Sequence, residues 1–151
     1  MYRGIQNVID SLTNAYFGQL GLKGIVAFTL VSRKQMCILN STYRSKPKST
    51  DILAFPFAST RLEHQSALKE QFLNAKIRGK AWPIQFGQLV ICPTVLERKL
   101  RAIKSKRVRE CNLKKMIVHG FAHLANLDHH TLAEYKLMRS FEGKLLRAIS
   151  K

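Results

Sequence analysis

A chain of 151 residues with 26 Lys and Arg against 9 Asp and Glu carries a formal charge of +17, and 46% of it is apolar. That length suits one domain with a real core, and the apolar content excludes a disordered chain. The charge points to a polyanionic partner, nucleic acid before a membrane surface, because the basic residues are scattered and do not line one amphipathic helix.

Ile5, Val8, Ile9, Leu12, Ala15 and Tyr16 recur at helical spacing, with Gly18 and Gly21 as stop signals, so the chain is expected to open with an amphipathic helix. The run Gly24 to Val31, GIVAFTLV, is apolar, β-branched and short, as a buried strand is. Ser32 then reads as the N-cap of a helix reaching about Thr42. Thr50 to Phe57, TDILAFPF, predicts a second strand ending near Pro56, since proline cannot donate to a ladder. Ala58 to Phe86 has weaker periodicity and a turn at Gly79 to Pro83; it reads as an inserted loop with a short helix from Leu62 to Leu73. Gly87 to Cys92 predicts a third strand, and Pro93 with Thr94 the start of a helix.

The segment Glu97 to Lys115 holds nine basic and two acidic residues. With so few acidic partners for i,i+4 pairing, it reads as a phosphate-binding stripe of Arg98, Lys99, Arg101, Lys104, Lys106, Arg107 and Arg109. Leu113, Met116, Ile117, Gly120 and Leu124 mark the apolar face of the next helix. Thr131 and Glu134 form a capping-box pattern for a last helix with Met138, Phe141, Leu145 and Ile149 inward.

Cys37, Cys92 and Cys111 are odd in number and contain no CxxC pair, which predicts reduced, mostly buried thiols in a reducing compartment. No apolar run approaches the roughly 20 residues of a membrane span, and the N-terminus lacks the apolar stretch of a secretion signal. A soluble protein is expected, in a bacterial cytoplasm or, by preference, a mitochondrial matrix.

Residues Met116 to Thr131, MIVHGFAHLANLDHHT, raise the chemical question. His119 and His123 lie one helical turn apart and can direct imidazoles at one point. Asn126 tolerates the left-handed conformation that ends a helix, and the chain could then reverse and bring His129 to the same point. Three histidine ligands leave a fourth position for water, the arrangement of a catalytic metal site. His130, adjoining His129, and His64, in the insertion, are read as non-ligands. Zinc peptidases of the HExxHxxGxxH type share these offsets but carry a glutamate after the first histidine; here that residue is Gly120, which disfavours proteolysis.

Three stretches together resemble the YbeY family of metal-dependent endoribonucleases. VHGFAHLANLDHH resembles that family's HGxLHLxGYDH, LNSTYRSKPKSTDILAFPF resembles LNxxYRxKxxPTDVLSFPF, and FGQLVIC resembles LGDIVIC. The match spans Phe28 to Phe57 and Phe86 to Leu146 in the family's order. The resemblance implies an α+β fold, a small mixed sheet packed with several helices, over residues 1–151 as one domain with an insertion at about 58–86. It implies a divalent ion, zinc, held by His119, His123 and His129, and Arg44 as the arginine of the catalytic cleft, where its planar fork suits phosphate oxygens. It also implies single-strand-specific cleavage in ribosomal RNA processing and maturation of the small ribosomal subunit. The partners would be ribosomal RNA, the small subunit or its assembly intermediate and other assembly proteins, without a membrane. The alternative is a catalytically weak or inactive RNA-binding assembly factor in which the metal is a staple.

The chain departs from the family pattern at Gln88, where an acid is usual, at Asn126 and Leu127 in place of Gly-Tyr, at Ala122, and at Ser49 in place of proline. The family pattern would also place a first strand before the opening helix, and none is expected from these residues. With the charge of +17, these departures suggest a divergent member fitted to a ribonucleoprotein partner.

Overall fold

The computed structural model describes residues 2–78 and 82–150. Its elements run α1 (Tyr2–Gly18), β1 (Gly24–Leu30), α2 (Arg33–Arg44), β2 (Ile52–Pro56), α3 (Arg61–Arg78), β3 (Ile84–Ile91), α4 (Pro93–Arg101), α5 (Lys106–Leu124) and α6 (Leu132–Ala148). The fold is α+β. One three-stranded mixed sheet has the order β1-β3-β2, with β1 parallel and β2 antiparallel to the central β3.

Alternation along β3 divides the core. Leu89 and Ile91 point into the larger cluster, built with Ile5, Ile9 and Leu12 of α1, Ile117, Val118 and Phe121 of α5, and Met138 and Leu145 of α6. Val90, between them, points the other way, into a smaller cluster with Leu53, Met36 of α2 and Val95 of α4. α4 contributes to both, since Leu96 and Leu100 belong to the larger cluster.

The helix ends follow from local chemistry. Ser32 and Gln35 cap α2 reciprocally, as Thr131 and Glu134 cap α6, so two backbone N–H groups at each start are satisfied. The α2 helix runs two residues past the expected Thr42, to Arg44.

Three sequence expectations need correction. The stretch read as a loop with a helix from Leu62 to Leu73 is the 18-residue α3, and β3 is the next element in the chain. Gly79 to Ala81, within the expected turn, fall outside the described residues. β3 begins at Ile84 rather than Gly87, because a bulge lets the strand pass through the glycine: Ile25 pairs with Gln85 but Val26 with Gly87. Gly87 has φ +147, and a Cβ there would run into the Phe55 carbonyl oxygen. Of the cysteines only Cys92 is buried; Cys37 is half-buried, and Cys111 lies on the exposed side of α5. Among the described residues no helix is long and apolar enough to cross a membrane.

Candidate metal centre and anion cleft

α5 is set against the sheet by its glycine. A Cβ at Gly120 would lie 3.1 Å from Ile52 Cγ2 and 3.2 Å from Leu89 Cδ2, so any larger residue would crowd these two side chains by a few tenths of an ångström. His119 and His123 flank that contact and are held beside β2.

The helix then stops in a Schellman geometry. The Leu127 N–H donates to the Ala122 carbonyl (3.1 Å) and the Asn126 N–H to that of His123 (3.0 Å). Asn126 has φ 54, the left-handed conformation expected of it, and its side-chain amide donates to the Ala58 carbonyl at 3.0 Å. The reversal brings His129 back over the helix end. Ring centroids are 4.7 Å apart for His119 and His123, 5.5 Å for His119 and His129, and 5.6 Å for His123 and His129. One ligand nitrogen from each lies within 4.8 Å of the other two.

The donor chemistry fits a divalent transition ion. His119, His123 and His129 would hold such an ion, which zinc's preference for imidazole ligands suits. Burial, reinforced by the neighbouring His119, pushes the His123 imidazole down to about 4, so it is neutral with a free lone pair at physiological pH. His119 Nδ1 sits 2.8 Å from Glu142 Oε1, which leaves Nε2 as the nitrogen available for coordination. That is the carboxylate–histidine pairing that fixes tautomer and ring angle at metal sites.

Glu142 escaped the sequence reading. It lies on α6 between Met138 and Leu145 and is only 5% exposed. The available signal was an acid on the apolar face of a helix, at spacing i+4 from Met138 and i−3 from Leu145. Its second oxygen accepts from Arg139 Nη1 at 2.9 Å, so both oxygens are engaged.

A cleft of about 390 Å³ opens beside His119 and His123, between α5, α6 and β2. Arg44, Lys115 and Arg139 line it, with the carboxylates Asp51 and Glu142. Arg44, at the end of α2, is close enough to His123 for its charge to lower that imidazole further. Asp51 accepts from Lys99 Nζ at 2.9 Å. Burial alone would raise the Asp51 carboxyl, but Lys99 and the Thr50 hydroxyl outweigh it and hold it below its usual value.

The other predicted residues lie elsewhere. His130 pairs through Nε2 with Asp128 at 2.9 Å. His64 is buried 3.0 Å from the Tyr16 hydroxyl and against the Phe86 ring. The basic segment is not one stripe. Ala102–Ser105 breaks it into two helices, with Ser105 capping the second, so the charges sit around a corner. Arg98, Lys99 and Arg101 are on α4, Lys104 is in the turn, and Lys106, Arg107 and Arg109 open α5. Lys99 is tied to Asp51 and Arg101 to Glu97, while Lys104, Lys106 and Arg107 are exposed without an acidic partner among the described residues. Gln88 does not address the histidines: it lies on the face of β3 opposite Leu89 and donates to Thr29 Oγ1 at 2.7 Å.

Comparison with known proteins bears on this arrangement. The family model described as Endoribonuclease YbeY matches residues 2–150. A protein of Methylococcus capsulatus named Endoribonuclease YbeY is 33% identical over 124 residues, 82% of this chain and 69% of its own length. Its namesake in Buchnera aphidicola is 29% identical over 122 residues; the chain spans 65% of that relative, just under two thirds. The solution structure of TM1509 from Thermotoga maritima shares the fold, with a TM-score of 0.57, 21% identity, and coverage of 98% of this chain and 82% of that one.

Proposed function

The chain belongs to the YbeY family, and from that premise we propose that it is a metal-dependent endoribonuclease of single-stranded ribosomal RNA, acting in maturation of the small ribosomal subunit. The observation that carries the metal part is the convergence of His119, His123 and His129 with a buried carboxylate on the first ring. The match to relatives named as endoribonucleases carries the reaction class.

In this reading the three imidazoles hold one divalent ion, zinc, and Glu142 keeps His119 in the tautomer that presents Nε2. A bound divalent ion supplies Lewis acidity towards a phosphate oxygen and acidifies water. Arg44 pairs with the phosphate oxygens and stabilises the charge that grows on them as the bond to the leaving oxygen breaks. Glu142 is engaged in positioning, with one oxygen on His119 and the other on Arg139. Asp51 is likewise taken by Lys99. The chain's own contribution is therefore to position and to neutralise charge rather than to shuttle a proton. The exposed corner around Lys104 and Arg107 suits the backbone of the ribosomal RNA on which the protein would dock.

The test is cleavage of a labelled single-stranded RNA by the wild type and by Arg44→Ala, with metal content measured on both. The reading expects loss of cleavage, at least a hundredfold, with metal and fold retained. Full activity in Arg44→Ala would remove that residue from the mechanism.

A further inference from the structure

The charges of the cleft do not cancel evenly. Each carboxylate has its own cation: Asp51 is bound by Lys99 and Glu142 by Arg139, both at 2.9 Å. Arg44 and Lys115 line the same cleft and have no acidic partner among the described residues. Arg44, at the end of α2, lines the cleft with His123, whereas Lys115 stands one turn before His119 on α5, about 6 Å away along the helix axis. That rise is comparable to the step from one phosphate to the next along a single strand.

We propose that Lys115 holds the phosphate immediately next to the scissile one, so that the cleft recognises two consecutive phosphates, one at Arg44 and the histidines and one at Lys115. This rests on the proposed function and names how its substrate is gripped. A single exposed ammonium is a weak anion site by itself. Beside an arginine and a metal site on the same wall, it selects a strand over a lone phosphodiester. Arg139 is less suited to this role, because its charge is offset by Glu142 at 2.9 Å. Asn112, one turn further along the cleft, has its amide nitrogen on the Val108 carbonyl at 3.0 Å and adds no charge.

The experiment is the affinity of a short fluorescein-labelled single-stranded RNA, read by anisotropy immediately after mixing, for wild type, Lys115→Met and Lys115→Arg. Each is measured across a salt series, and again with single neutral methylphosphonate linkages walked along the strand. Lys115→Met is expected to bind about five- to tenfold more weakly and to flatten the salt slope by about 0.7, one phosphate contact on a single strand. Lys115→Arg should restore both. One methylphosphonate position that weakens wild type should leave Lys115→Met indifferent. If the wild type binds RNA while Lys115→Met shows the same affinity, slope and methylphosphonate pattern, the subsite is overturned and the proposed function stands. If the wild type binds no RNA at all, the proposed function falls and the subsite with it.

Discussion

Glu142→Gln isolates the electrostatic part of the metal site from its shape. The amide fits the same space and can still accept from His119 Nδ1 through its oxygen, so the 2.8 Å contact survives as a neutral hydrogen bond. Its NH2 group, however, faces the Arg139 guanidinium, replacing an ion pair at 2.9 Å with two opposed donors. A hydrogen bond to a charged group contributes about 1.5–3 kcal/mol against about 1 for a neutral one, so the change removes roughly 1–2 kcal/mol from the support of His119. Because that support is felt through the ring, zinc affinity should fall about tenfold, within the range known for partners of ligating histidines. Glu142→Ala, which also lets the ring swing, should approach a hundredfold. Competition with a chromophoric zinc chelator at pH 7.5 measures both, and unfolding midpoints of the metal-free proteins separate loss of fold from loss of affinity. Unchanged zinc affinity in folded Glu142→Gln would refute the positioning role.

Gly120→Val should push α5 off Ile52 and Leu89; overpacking of about 1–3 kcal/mol lowers Tm by roughly 3–9 °C in a chain of this size, and an unchanged melting curve would contradict the close approach. The His123 imidazole is lowered to about 4 in the folded state, so the metal-free protein binds fewer protons than the unfolded chain below the unfolded value of about 6.5. Its contribution is complete above 6.5 and is lost as pH falls towards 4; after allowance for partial exposure this is about 1–2 kcal/mol. Urea midpoints of metal-free wild type and His123→Gln should therefore diverge in pH dependence across that window, and parallel curves would disprove the assignment. Lys104→Glu with Arg107→Glu should weaken association with ribosomal RNA and flatten its salt dependence, and intact association would remove the α4–α5 corner from the RNA surface.

Much of this arrangement is written locally. Ser32 with Gln35 and Thr131 with Glu134 announce helix starts because the capping atoms lie within four residues of one another. Asn126 announces the reversal that delivers His129, since few residues tolerate φ 54. What escaped depends on contacts distant in sequence. Glu142 meets His119 across 23 positions, and within its own helix it looks like one more polar residue. α3 is harder to read, since its apolar residues form no clean helical stripe, and Leu62, Phe72, Leu73 and Ile77 are exposed while His64 is buried. Gly87 reads as a strand boundary from composition, yet the bulge that makes it part of β3 exists only in the pairing with β1. The basic segment looked continuous because charge alone does not register Ser105, whose hydroxyl accepts from the Val108 N–H and starts a new helix.

One titration tests both the metal and the RNA cleavage proposed to depend on it. Metal-stripped protein is reconstituted with zinc in steps from zero to two equivalents, and at each step cleavage of a single-stranded ribosomal RNA fragment is timed beside the bound metal, with His123→Ala in parallel. The stripped protein should not cleave, activity should rise linearly and level off at one equivalent, and His123→Ala should show neither tight binding nor activity. Stoichiometric binding by the wild type with no cleavage at any step would contradict the enzyme reading and leave an RNA-binding assembly factor stapled by its metal.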